Sequence, residues 1–241
     1  MKNLVAFGMC LAVFCTVQPA RVNAQFGDIL KKAQESLGGA ALSDSEIIRG
    51  LKDALQVGTG RAVTTVSQEG GYYDNPKIRI PLPGAVQKVE TLLRAAGYGT
   101  QVDAFELSMN RAAERAAPEA KAIFWDAIKQ MTFSDARRIL NGRDNEATLY
   151  FEDKTEPRLQ QIFKPIVHDS MAAVGVTRQF QELNDRVNTI PFAGSLSFDL
   201  DRYVTGKALD GLFYMLAKEE EKIRRNPAAR TTEILKKVFG Q

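Results

Sequence analysis

The sequence predicts an all-α fold: a single-domain multi-helix array crossed by one extended, proline-rich strap at about residues 70–83. Three observations carry this reading. Apolar residues recur at spacings of three and four along most of the chain. Capping residues and helix-ending Gly or Pro punctuate it at helix-length intervals. Gly70 to Pro83 is the one long exception, because Pro76, Pro81 and Pro83 remove backbone donors and bias the residues before them to extended conformations.

The elements follow in order. Lys2 precedes a run of apolar or small residues from Leu4 to Val17, interrupted at Thr16, and Val22-Asn23-Ala24 places small or branched residues ahead of Gln25. This is the pattern of a secretory signal, and the run is shorter than the roughly 20 apolar residues a membrane span needs. Residues 1–24 are therefore expected to be cleaved on export. Residues 25–42 form an amphipathic lead-in, with Phe26, Ile29, Leu30, Ala33 and Leu37 on one face and Gly38-Gly39 at its end. A single all-α domain is expected over 43–241.

Ser43 and Glu46 make a capping-box pair for a helix to about Val66, with Ile47, Leu51, Ala54 and Leu55 as its apolar stripe; Gly58 and Gly60 weaken it locally. In the strap, the alternating Ile78, Ile80 and Leu82 are too apolar for a free loop and should lie against helices. Arg79 then points the other way, to an acid such as Glu114 or to solvent, while Tyr72 and Tyr73 read as exposed. Helices follow from Gly84 to Gly97 and from Gln101 to Ala117, and Pro118 suits the first turn of the next, Glu119 to Met131. Thr132 or Ser134 caps a short helix ending at Asn141-Gly142. The spacing then predicts one helix from Asn145 to Asp153 and a second, opened by Thr155 and Pro157, to Gly175 with a kink at Pro165. Thr177 starts another that ends before Pro191. Asp199 caps a long helix to Arg225, and Thr231 or Thr232 caps a terminal one to Phe239.

Several ordered stretches carry a family resemblance: Gly71-Tyr72 with Asn75-Pro76 and Ile78 to Pro83, Asn110 to Glu114 with Ala117-Pro118, and Ile128 to Phe133 with Asp135-Ala136. Thr148 with Tyr150-Phe151, Lys207 to Phe213, Asn226 to Arg230 and Lys236 to Gly240 extend it. Together they resemble the exported proteobacterial proteins of domain of unknown function 4197, over nearly all of the chain after residue 24. The resemblance implies an exported bacterial helical protein, which with the expected cleavage means transfer across the inner membrane to the periplasm, and it transfers no activity to any residue.

Composition excludes several chemistries. Both cysteines, Cys10 and Cys15, lie in the segment expected to be removed, which leaves no thiolate, disulfide or cysteine ligand. That segment also takes Lys2 and Arg21 and no acid, so a formal net charge of +3 falls to about +1, no footprint for nucleic acid. The single histidine, His168, sits mid-helix beside Asp169-Ser170, which as sequence neighbours do not face it; alone it builds neither a zinc site nor a catalytic triad. No metal and no cofactor is expected. Glycines at 58, 60, 70 and 71 lack the preceding strand of a phosphate loop. Asp103, Glu106, Glu114, Asp126, Asp135, Asp199, Asp201 and Asp210 lie on helices or helix starts and keep carboxylate hydrolysis open as an alternative. Glu219-Glu220-Glu221, followed by Lys222, Arg224 and Arg225, reads as a solvated face.

The more informative set is polar groups among small residues. Asn110, Arg111 and Glu114 interrupt an alanine-rich helix, and Arg111 and Glu114, three apart, can pair. If that face is buried, these groups must be satisfied by the strap or by a ligand. With Tyr72, Asn75 and Arg79 of the strap they are the candidate ligand-binding residues. The reading is an exported, non-catalytic helical binding or protein-interaction protein, whose partner is an unknown protein or an apolar or envelope ligand. The alternative is an envelope assembly factor docking through the lead-in, compatible with peripheral membrane contact and no transmembrane segment in the mature chain. The exported protein should begin at Gln25 in intact-mass analysis; retention of residues 1–24, or lipid on Cys10 or Cys15, would contradict this.

Overall fold

The computed structural model describes residues 44–173, 182, 185 and 199–225. The signal segment, the lead-in, Ser43 of the capping pair, most of the helix expected after Thr177 and the terminal helix expected after Thr231 or Thr232 lie outside the described residues. Among those residues 84% are helical and none is in a strand. In chain order the helices are α1 (Asp44–Ser67), α2 (Gly84–Ala95), α3 (Gly99–Ala116), a 3-10 turn (Ala117–Glu119), α4 (Ala120–Gln130), α5 (Phe133–Asn141), α6 (Glu146–Ala173) and α7 (Leu200–Arg225). Helices α6 and α7 pack on each other and on α3, α1 lies against α7 and α4, and α2 rests on α3.

Small side chains decide how close α3 comes to its neighbours. Ala112, Ala113 and Ala116, with Ala117 after them, are essentially inaccessible, so the helix backbone approaches the elements around it closely. Larger rings fill the space beside it. Phe124 of α4 meets Phe151 of α6 edge-on at 5.1 Å and lies 6.1 Å from Phe213 of α7. Such pairs contribute about 0.5–1.5 kcal/mol beyond their buried area and tie three helices at one point.

Helix α6 departs from the expected pair of helices: it runs unbroken from Glu146 to Ala173 with Pro157 and Pro165 inside it. The reason is where the prolines sit. Both are exposed, as are Asp153 and Gln161, four residues earlier, whose carbonyls lose their helical partner to them. Along the other side Phe151, Thr155, Leu159, Phe163 and Val167 make a buried stripe at spacing four, and its packing outweighs the missing bonds. Thr155 is therefore not a cap; its hydroxyl donates back to the Phe151 carbonyl at 2.6 Å. Thr132 does cap α5, in a capping box with Asp135 that holds the Asp135 carboxyl below the usual aspartate range, chiefly through the Thr132 hydroxyl.

The start of α6 is capped from far away. Glu220 of α7 accepts hydrogen bonds from the backbone N–H groups of Ala147 and Thr148, both at 2.9 Å, and from the Thr148 hydroxyl. Arg224 pairs with Glu220 at 2.8 Å and donates to the Ile139 carbonyl in the last turn of α5 at 2.7 Å. One buried ion pair thus satisfies the end of α5 and the beginning of α6. Glu219 and Glu220 are only 6% and 7% exposed, so the triple-glutamate stretch is not the solvated face its composition suggests. Orphan amides at a buried helix start require an acceptor, and α7 supplies it.

Candidate functional site

The non-helical segment between α1 and α2 begins at Gly70, whose φ of +83° lies where L-residues are rarely found and turns the chain back after α1. Through Ile78 it coils in successive turns: Asp74 N–H donates to Gly70 O, and Ile78 and Arg79 N–H both donate to Asn75 O. From Arg79 to Pro83 the chain is neither helix, turn nor strand. No strand pairing forms near Ile78–Ile80: Ile78 and Arg79 N–H are taken by the turn at Asn75, and Ile80 is paired by a side chain. Ile78, Ile80 and Leu82 are buried and Arg79 is exposed, the alternation that the sequence pattern predicts.

A stripe on α3 provides that pairing. Glu106, Asn110 and Glu114 are spaced by four and so share one helix face. Glu106 takes the Arg79 guanidinium in two bonds, at 2.9 and 3.1 Å. Asn110 accepts from Ile80 N–H at 2.8 Å and donates to Ile80 O at 2.9 Å and to Glu106 O at 2.8 Å. Its carboxamide therefore acts towards Ile80 as a neighbouring strand would. Glu114, 4% exposed, accepts from Tyr72 N–H at 3.1 Å and Tyr73 N–H at 3.3 Å. Its second oxygen pairs with Arg111 at 2.6 Å, and Arg111 also reaches Glu69 at 2.8 Å. Residues 72–80 thus run antiparallel to α3.

Other helices complete the set. Tyr203 of α7 donates to the Pro81 carbonyl at 3.0 Å, and Gln87 of α2 donates to the Leu82 carbonyl at 2.6 Å. Pro81 and Pro83 have no N–H to satisfy. Gly211 of α7 seats the turn: a Cβ there would lie 2.7 Å from the Tyr72 ring and 3.1 Å from Ile78 Cβ.

The candidate residues now have positions. Tyr72 is completely buried, not exposed; its hydroxyl donates to Ala208 O at 2.6 Å, and burial, followed by the Glu114 charge, pushes its pKa up. Burial follows from the bare backbone at Gly211, a long-range fact that its Gly-rich local sequence hides. Asn75 accepts from Lys77 N–H at 3.1 Å and lies against Met215. Arg79 goes to Glu106 rather than Glu114, and its guanidinium stacks 4.0 Å over the half-buried Tyr73 ring. Asn110, Arg111 and Glu114 are brought together on the turn segment. Gln87, Tyr203 and Gly211 carry no role in the sequence reading, Glu106 enters it only among the carboxylates and Glu220 only in the stretch read as a solvated face; the four-residue spacing of Glu106 from Asn110 is the one local signal.

The remaining acids have partners of their own. Asp103 pairs with Arg94, Asp126 with Arg158 and Asp210 with Lys207; Asp135 and Asp199 cap α5 and α7. His168 is exposed and meets Asp201 at 2.8 Å across α6 and α7. Among the described residues no group of three or more His, Cys, Asp or Glu is placed to hold a metal ion.

Beside the network an open groove of about 590 Å³ runs along α3, lined by Ala104, Leu107, Ser108, Arg111, Arg115 and Pro118, with Ser67 and Glu69 on its other bank. Arg111 and Glu114 link this groove to the buried turn segment. The family described as Protein of unknown function (DUF4197) matches residues 41–240. The chain belongs to that family. No curated protein and no solved structure matches it. The match to DUF4197 spans the turn segment, α3 and α7, so the whole Glu106–Asn110–Glu114 arrangement lies inside the family region.

The network predicts a specific cost. Asn110→Ala leaves the buried N–H and C=O of Ile80 without partners, at about 1–3 kcal/mol for each. Urea unfolding should show a loss of that order. Asn110→Asp should recover only part of it, since a carboxylate still accepts from Ile80 N–H but donates nothing. An Asn110→Ala protein as stable as the parent would contradict the assignment.

Proposed function

We propose that the protein is exported to the bacterial periplasm, freed of residues 1–24, and acts there without catalysis as a protein-interaction module. The groove along α3 is the observation that carries this reading. It is open along its length, and small-molecule pockets usually enclose most of their ligand's surface. Its length from Ala104 to Pro118 is about 20 Å at the helical rise of 1.5 Å per residue, enough for several turns of a partner helix. Ala104, Leu107 and Pro118 supply apolar contact. Arg115 is exposed and makes no ion pair among the described residues, whereas Arg111 is held by Glu114 and Glu69. The arrangement suits an amphipathic helix that lays apolar residues at spacings of three and four into the groove and offers an acid to Arg115. The buried network keeps the α3 bank rigid, which lowers the ordering cost of association.

Selection of a displayed library of amphipathic helical peptides on the exported protein tests this. Enriched peptides should share an apolar stripe with a carboxylate. Arg115→Glu and Leu107→Asp should each weaken the best of them about tenfold or more, with thermal melting essentially unchanged for Arg115→Glu. No enrichment, or peptides indifferent to both substitutions, would overturn the reading.

A further inference from the structure

The outer side of α4 and α5 carries a second pattern, independent of the α3 groove. Lys121, Trp125 and Lys129 of α4 and Phe133 and Arg137 of α5 are all exposed, while Phe124, Ile128, Met131 and Ile139 of the same stretch are buried. Trp125 and Phe133 leave 37% and 40% of their surface in water, unusual for such large apolar side chains. Each ring carries a cation: Lys121 Nζ lies 5.2 Å from the Trp125 centroid, and Arg137 Cζ lies 4.5 Å from that of Phe133. Lys52 of α1 reaches the same face, with Nζ 3.3 Å from the Lys129 carbonyl. The two acids of the stretch are engaged elsewhere. Asp126 turns to Arg158 at 3.3 Å and more loosely to Lys129 at 3.8 Å, and Asp135 is held in the Thr132 capping box.

Lys121 on the Trp125 ring and Arg137 on the Phe133 ring, with Lys129 and Lys52 at the end of α4, match one kind of surface closely. Amphipathic rings prefer the boundary between lipid headgroups and acyl chains, and lysine or arginine beside them binds anionic phosphates. Among the described residues no helix is long and apolar enough to cross a membrane, so contact through this face is peripheral. We propose that the α4–α5 face docks on an anionic phospholipid surface, with Trp125 and Phe133 at headgroup level and Lys52, Lys121 and Lys129 on the phosphates.

Trp125 is the only tryptophan in the chain, so intrinsic fluorescence reports from the centre of the proposed contact. The exported protein is titrated with vesicles of equal parts phosphatidylglycerol and phosphatidylcholine, and with phosphatidylcholine alone, following sedimentation and tryptophan emission. Binding to the anionic vesicles with a blue shift of Trp125, and at least tenfold weaker binding to phosphatidylcholine, is expected. The double variant Lys121→Glu with Lys129→Glu, checked for unchanged melting, should lose at least tenfold in affinity for the anionic vesicles. Binding that leaves Trp125 emission unmoved would place the contact elsewhere, on residues 25–42 for instance, and overturn the proposal. So would an absence of binding, full affinity in the charge-reversed variant, or a Trp125 shift given by an acidic peptide and not by vesicles.

Discussion

A buried segment of chain that is neither helix nor strand must find partners for its N–H and C=O groups, and the structure between α1 and α2 is organised by that constraint. Tyr72, Ile78, Ile80 and Leu82 lie in the core, where water is excluded and each unpaired group costs about 1–3 kcal/mol. Asn110 and Glu114 of α3, Gln87 of α2 and Tyr203 of α7 meet the segment's backbone groups, and Glu106 holds the Arg79 side chain. Proline at 81 and 83 removes two donors from the requirement altogether. The segment is thereby part of the core and not a loop laid over it, and α3 cannot move without breaking its bonds.

The same solution recurs at the other end of the bundle. Glu220 with Arg224 does for the α5–α6 junction what Glu114 with Arg111 does for the turn segment: a buried carboxylate receives consecutive backbone amides, and an arginine within one turn balances its charge. Both oxygens of each glutamate are taken up by backbone amides and arginine within the protein. This favours an interaction role over hydrolysis for the groove that borders Arg111 and Glu114.

Much of the fold was legible because helical periodicity and capping are local. The stripe of Leu51, Ala54 and Leu55 and the Thr132 cap are written within single segments, and the alternation of Ile78, Ile80 and Leu82 foretold their burial. Asn110, Arg111 and Glu114 stood out because polar groups among alanines need partners. What escaped the sequence is long-range. Nothing near Glu220 shows that the start of α6 lies beside it, and nothing near Tyr72 shows that Gly211 leaves room for its ring. The prolines of α6 misled for a related reason: their cost is local, whereas the packing that outweighs it comes from α3 and α7.

The central claim is that α3 side chains pair the backbone of the turn segment in the folded protein, and amide hydrogen exchange measures it residue by residue. The account predicts that the Ile80 and Tyr72 amides exchange as slowly as core helical amides of α3, although neither belongs to a helix or a strand. In Glu114→Gln, which removes the charge balance with Arg111 while leaving the Asn110 bond intact, Tyr72 should exchange faster and Ile80 should keep its protection. Rapid exchange of both amides in the parent protein would contradict the account.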